Sequence, residues 1–559
     1  DSLVKVLLKI LFKHSFFLLI SFLVIIGFFL RLIYLGEIPA VMHRDEVAIA
    51  YNAYSILETY RDEWGQFLPV IFQSFGDYKL PGLIYSTALG IKFFGLNPFG
   101  ARVVTAVLAS VLIPVTFLFT RELYKSRFIS AAATTFLVFS FWHISGARNI
   151  YEPMVALTLA VLSYATLFKV SQNKVYLLLS IFFFSLSVWF YHTPLFLYPI
   201  LFLVWGFHLR KKILRRELKW WLGAFMCLLA IVAINTQAVA TLNQSRGETI
   251  LFFSQELHDQ HQSSLQKFWQ AGVPLYPVFT VGQRGFQLSY YFFQGYVKGI
   301  SPDFVFFAGG NNYWHNLRSI GFGNSNPVLL PLFVLGIVYA IRNRKDLSNS
   351  FLLYVLILSP IPNALTVDSP NINRLLDFHF LILVYAALGL YFLYTEKFFQ
   401  SGFAFTVQRV MFLCVVLAYI GVAGQFLASY FLTFNFSLHP TWNEGVPELM
   451  DEVVTQKDAF DKVVFLNVTA KPHIFYLFYT GYSPDRLHTL QQSGEEHTQR
   501  VENVFFGADE SLYDLETERI LFVEPAKIER EHTIFSIEDW QGKKLWQGYE
   551  VNSEAVLIN

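Results

Sequence analysis

Charge is what this sequence has least of. Asp, Glu, Lys and Arg together supply 15% of its 559 residues, where about 25% is usual for a soluble domain. That scarcity excludes a disordered chain, a coiled coil and a single water-soluble core. A net charge of +1 excludes the basic footprint that nucleic-acid binding requires. Cysteine is nearly missing: Cys227 and Cys414 are the two, each in an apolar run. They form no disulfide framework or Cys-type zinc site, and both are expected in the core. No internal repeat is visible, which weighs against an inverted-repeat transporter. What the chain has instead is apolar side chains: 54% hydrophobic residues, 60 of them Phe, and a mean hydropathy of +0.43. Such a chain reads as an α-helical polytopic membrane protein.

A helix that crosses a bilayer needs about 17–25 predominantly apolar residues. About eleven stretches qualify: 15–35, 101–121, 128–146, 152–169, 175–190, 193–209, 221–240, 327–341, 351–367, 375–395 and 410–432. Tyr191, His192 and Pro194 break the nearly continuous run at 175–209. The basic clusters test this map. Lys5/Lys9/Lys13, Arg121/Lys125/Arg127, Lys169/Lys174, Arg210–Arg216, Arg342/Arg344/Lys345 and Lys397/Arg409 all fall on one side of it. The positive-inside rule then puts the N-terminus in the cytoplasm and the C-terminus outside. Arg31-Leu32-Ile33-Tyr34 follows the first span, with no small-residue cleavage site, so that span reads as an uncleaved anchor. The expected location is the plasma (cytoplasmic) membrane, with residues 1–432 as the transmembrane domain. Loops 36–100 and 241–326 and the segment 433–559 lie on the outer face. The last is rich in charge and alternates strand-like runs (Val463–Val468, Ile520–Val523) with helix-like ones. It is expected to be a small, soluble, extracytoplasmic α/β domain.

The scarce ionisable residues gather in the outer loops. Asp45 and Glu46 open an amphipathic helical pattern, where acids favour a helix N-terminus. The other reading is a catalytic carboxylate at the bilayer surface. Further on come Arg61-Asp62-Glu63-Trp64-Gly65 and Phe75-Gly76-Asp77-Tyr78-Lys79, before an interfacial stretch, Pro81–Phe94. Lys79 either snorkels to headgroups or holds a lipid phosphate. Arg148 and Glu152 are four apart, as in an ordinary helix pair, yet both sit at membrane depth, where ionisable groups are functional candidates. Arg374 precedes a late span on the same face. His258 and His261 fall in a stretch that reads as an amphipathic surface helix, and His143 beside Trp142 reads as a packed interface residue.

These motifs, in this order and spacing, resemble the polyprenyl-phosphate-dependent glycosyltransferases of the C-type membrane fold. Within them the chain looks like the protein O-mannosyltransferase and lipid A aminoarabinose-transferase branch. The resemblance rests on Asp45-Glu46, Arg61–Gly65, Phe75–Lys79, Gly100-Ala101-Arg102, Trp142-His143 through Glu152, Tyr290–Phe292, Ser301–Phe307 and His315. It implies Asp45 as the base that deprotonates the acceptor, Glu46 as its partner and Glu152 as a second acid. It implies Asp77 and Lys79 as an acid-Lys-Pro element on the donor phosphate, with Leu80 intervening before Pro81. Arg374 and Arg148 would join the substrate site, and His315 matches a histidine of the long loop. Where relatives carry Gly-Asp…Arg-His, this chain has Gly310-Asn311-Asn312-Tyr313-Trp314-His315. Ala48 stands where aminoarabinose transferases carry Arg, which argues against that activity.

The implied reaction is inverting transfer of a sugar from a polyprenyl-phosphate donor to a hydroxyl of a protein, a glycan or a lipid. The implied partners are that donor, its acceptor and membrane lipids, with no nucleic acid. The resemblance fixes no cofactor. A divalent metal ion is compatible with the resemblance, and Asp45, Glu152 and His315 are the ligands it would use. The competing class is a transporter or flippase of lipid-linked sugars. It would place ionisable groups near the midplane, where His192 and Asn363 are the only candidates.

Overall fold

The computed structural model describes residues 2–550 except 75–76, 210–214, most of 243–275, 311–316, 318–319, 397–401, 438–443, 467–470, 495, 508–517 and 529. Among the described residues, five helical stretches are long and apolar enough to cross a membrane: 15–32, 98–124, 347–364, 376–395 and 406–432. A sixth span results if Arg127–Val138 and Phe141–Ala147, bent by 54°, are taken as one. Five shorter apolar helices lie at 152–168, 175–188, 193–207, 219–235 and 329–342. Every apolar stretch of the sequence thus overlies a helix. The break near Pro194 falls between Val175–Val188 and Thr193–Leu209.

The chain divides into two compact units. The first comprises 1–33, 106–147 and 151–430; the second comprises 34–105, 148–150 and 431–559. The loop at 36–100 is therefore grouped with the C-terminal segment rather than with the helices that flank it.

In the first unit, helix Leu376–Thr395 is buried on nearly every face. It packs on Leu329–Arg342 with backbones in contact: a side chain at Gly336 would overlap the Tyr385 carbonyl, and one at Gly389 the Leu332 carbonyl. Small residues permit this approach, which is how helices associate where lipid removes the hydrophobic drive. The outer helices behave oppositely. Phe17, Phe22 and Ile25 on Ser2–Leu32, and Val410, Leu413 and Leu417 on Gly402–Leu432, are exposed, as surfaces facing lipid are. Cys227 and Cys414 are exposed too, which corrects the expectation that they are core residues. In a bilayer protein an apolar run carries no information about which face is inside.

In the second unit, helix Arg44–Thr59 is followed by a hairpin, β1 (Phe72–Ser74) and β2 (Asp77–Lys79), and by helix Pro81–Phe94. The C-terminal segment forms a six-stranded mixed sheet, as expected of an α/β domain. Its strands are β3 (Lys462–Phe465), β4 (Arg500–Val501), β5 (Val504–Phe506), β6 (Ile520–Pro525), β7 (Thr533–Glu538) and β8 (Lys544–Glu550). They run in the order β4-β5-β3-β6-β8-β7. Central β3 is parallel to both β5 and β6, with Val463 opposite Val504 and Leu521. Strands buried on both faces read as continuous apolar runs, which is why β3 and β6 are visible in the sequence. The sheet's helices seat the first loop. Tyr51 Oη donates to the Tyr482 carbonyl (2.9 Å), and Gln491 Nε2 donates to the Glu63 carbonyl (2.7 Å).

Candidate active site

The capping reading of Asp45-Glu46 applies to Glu46. His43 is the N-cap of helix Arg44–Thr59, and Glu46 at the third helical position closes a capping box. Glu46 is buried, and each carboxylate oxygen accepts two hydrogen bonds. Oε1 takes Arg102 Nε (3.1 Å) and the Ile150 amide (2.8 Å). Oε2 takes the His43 amide (2.9 Å) and Arg102 Nη2 (3.2 Å). Arg102, itself fully buried, spends its remaining donors on the carbonyls of Pro39 (2.7 Å) and Val41 (2.9 Å), with a longer contact to Leu35 (3.4 Å). This node ties the start of the loop to the helix that carries Arg102.

Asp45, one residue earlier, is left partly accessible, its side chain 35% exposed. Lys79 Nζ, at the end of β2, donates to its Oδ1 at 2.9 Å, and His43 Nδ1 lies 3.3 Å from its Oδ2. Burial pushes the Asp45 carboxyl up, but Lys79 and then His43 outweigh it and hold it well below the usual carboxylate range. The hairpin is what delivers Lys79, because antiparallel pairing sets it opposite Phe72. Asp77 lies at the turn end of the same strand, opposite Ser74.

The other expected site residues divide between the units. Glu152 is the first residue of helix Glu152–Phe168 in the first unit. Arg374 ends a 3-10 turn, Ile372–Arg374, in that unit. It donates to Thr366 Oγ1 (3.0 Å) and to the Asp368 carboxylate, whose pKa it lowers against the effect of burial. Tyr151 lies within electrostatic reach of both Glu152 and Arg374. Arg148 and Glu152 do not form a helical pair, because the chain leaves the helix at Ala147 and re-enters one at Glu152. Arg148 is buried, donates to the carbonyls of Tyr34 (3.0 Å) and Ile38 (2.8 Å), and lies over the Phe431 ring. These contacts brace the loop that holds Tyr34 and Ile38. His315, His258 and His261 lie outside the described residues. Of the two midplane candidates, Asn363 is buried in hydrogen bonds to Gly295, Ser369 and Asn371.

Among the described residues, no three His, Cys, Asp or Glu side chains are placed to hold a metal ion. Both Asp45 oxygens already face basic nitrogens, so this carboxylate does not fit a divalent ion as arranged.

The sequence reading names Gly100-Ala101-Arg102 but gives Arg102 no role, although an arginine inside an apolar run is expensive unless paired. The Arg61–Gly65 motif likewise contains a second buried acidic node with no role assigned. Asp62 Oδ1 accepts the Trp64 (3.0 Å) and Gln66 (2.8 Å) amides, and His488 Nε2 meets the Asp62 carbonyl (2.8 Å). Beside it Glu63 is buried, with Oε2 unpartnered among the described residues. Burial, and then the Asp62 charge, push Glu63 up to about 8. The folded chain therefore keeps a proton that the unfolded chain loses above its ordinary value of 4.5. Stability conferred by this group is full below pH 4.5, falls between there and about 8, and is level above. The slope is about 1.4 kcal/mol per pH unit. Glu63→Gln should flatten it, so that the variant's thermal midpoint exceeds wild type at pH 8 and converges with it near pH 5. Parallel melting curves across that range would reject the assignment.

No protein-family model matches the chain, and no curated protein matches it in sequence. Solved structures do match. ArnT from Cupriavidus metallidurans in the apo state superposes with a TM-score of 0.51 at 11% identity, covering 94% of this chain and 97% of that one. The archaeal oligosaccharyltransferase AglB from Archaeoglobus fulgidus, in complex with an inhibitory peptide and a dolichol-phosphate, superposes at 0.53 and 12% identity. That match covers 92% of this chain and 69% of AglB. The fold is that of the C-type membrane glycosyltransferases. The match spans nearly the whole chain and agrees with the fold that the resemblance implies.

Proposed function

We propose that the chain is a plasma-membrane glycosyltransferase. It moves a sugar from a polyprenyl-phosphate donor to an acceptor hydroxyl on the extracytoplasmic face, inverting the anomeric centre. The observation that carries this reading is the Asp45–Lys79 pair, a carboxylate kept ionised beside a cation in a chain with the C-type fold. The acceptor is a hydroxyl of an exported protein, an envelope glycan or a lipid.

In this mechanism the acceptor oxygen bonds to the anomeric carbon while its proton passes to Asp45. The bond from that carbon to the phosphate oxygen breaks, and the electron pair leaves with the lipid phosphate. Lys79 meets the charge that develops there, with Arg374 as the second cation. Donor and base are thereby coupled. A phosphate that draws Lys79 away removes the countercharge that holds Asp45 acidic, so the carboxylate becomes more basic as the donor seats. Glu46 and Arg102 fix the helix start that presents Asp45, and Glu152 supplies the second acid toward the acceptor. No step is routed through a metal.

The test is transfer from a panel of polyprenyl-phosphate sugars in membrane vesicles, with wild type and Lys79→Gln. Wild type should use at least one donor. The variant should raise the donor KM about 10- to 100-fold, the worth of a charged hydrogen bond to phosphate. Absence of product from every donor, or a wild-type donor KM in the variant, would overturn the reading.

A further inference from the structure

The first unit contains an apolar groove of about 640 Å³, within the range of pockets that bury a small ligand. One wall is helix Arg127–Val138 and the other is helix Gly402–Leu432, with Phe16 and Leu19 of the first helix at the edge. Small side chains make the room: Ala131 and Ala132 on one wall, Ala423 and Gly424 on the other. A Cβ at Gly424 would meet nothing within 4 Å. The lining is aliphatic and aromatic except for Thr135, the Tyr419 hydroxyl and one charge, Arg127.

Arg127 is the residue that needs an explanation. It is exposed, its guanidinium stands 5.1 Å from the centre of the Phe16 ring, and it has no carboxylate partner among the described residues. It is also the first residue of its helix, where a cation opposes the helix dipole. A basic residue that marks a cytoplasmic loop could stand anywhere in that loop. Lys125 does so, paired with Glu122 at 2.7 Å. Arg127 instead stands where the groove reaches the aromatic cluster of Phe128, Tyr394 and Phe412, and such aromatic belts mark a membrane–water interface.

We propose that this groove binds one acyl chain of an anionic phospholipid of the cytoplasmic leaflet, with the lipid phosphate on Arg127. The guanidinium is a planar fork suited to phosphate oxygens, and basic pockets between transmembrane helices on the cytoplasmic side recognise such headgroups. The groove's apolar walls take the chain, and the anionic head offsets the cation at the helix start. The inference uses none of the residues assigned to sugar transfer and stands apart from that reading.

The test is lipid retention by native mass spectrometry of the full chain in mild detergent. It is titrated with phosphatidylglycerol, phosphatidylcholine or undecaprenyl phosphate. Wild type should retain phosphatidylglycerol in preference to phosphatidylcholine. Arg127→Ala should lower phosphatidylglycerol retention about fivefold and that of phosphatidylcholine, whose choline offsets its own phosphate, by less, and Lys125→Ala should behave as wild type. Gly424→Phe, which fills the groove, should lower retention of both lipids. Arg127 is exposed, so its removal leaves the fold intact and the comparison with Lys125→Ala interpretable. Equal retention by these two variants would overturn the proposal. So would displacement of phosphatidylglycerol by equimolar undecaprenyl phosphate, which would make the groove an isoprenoid site.

Discussion

Asp45→Asn is expected to lower sugar transfer about 100- to 10,000-fold, the usual contribution of a positioned general base. The substitution keeps the size of the side chain and its place at the helix start, and removes the charge and with it the ability to take a proton. Donor KM should change little or fall, because Lys79 loses its carboxylate partner and is freer to meet phosphate. That split distinguishes a base from a residue that merely holds the lysine: the latter would move KM as much as kcat. The pH profile gives a second check. Lys79 and His43 hold Asp45 well below the usual carboxylate range, so protonation of the free enzyme's base should not limit kcat/KM until the pH falls below that range. An acid limb near neutrality in wild type, or full activity in Asp45→Asn, would remove Asp45 from the role.

How far the sequence reveals this arrangement depends on the range of the forces involved. Apolar runs mark helices because a bilayer demands them locally, and short apolar runs within the charged last segment mark its central strands. The pairing of Asp45 with Lys79 was foreshadowed as two candidates in one loop; what brings them together is a three-residue-a-side hairpin too short to read as strands. The spacing of Arg148 and Glu152 misleads for the opposite reason. A helical offset predicts a shared face only if the helix continues, and here Asn149–Tyr151 interrupt it. The docking of the first loop on the C-terminal sheet was not legible at all. Its contacts, Tyr51 with Tyr482 and Asp62 with His488, join residues more than 400 positions apart. Each is a lone polar contact of a kind that leaves no periodic trace.

Arg102→Met should destabilise the second unit by about 3–5 kcal/mol, the cost of breaking a buried ion pair from one side. The loss is large because Glu46 would be left in a buried site with two of its four hydrogen-bond donors gone. Removing both charges should cost much less, since a well-packed apolar pair replaces a buried salt bridge at little net cost. A double-mutant cycle of Arg102→Met with Glu46→Leu, read by thermal unfolding, should therefore show strong non-additivity. Activity then separates the two meanings of partner for Glu46. Its four acceptor positions are filled by Arg102, Ile150 and His43, which leaves none for an acceptor hydroxyl. As a positioning residue it should act through the placement of Asp45. The double variant should then recover a measurable fraction of the transfer rate along with its stability. A stable double variant as inactive as Asp45→Asn would instead show that the Glu46 carboxylate takes part in the chemistry.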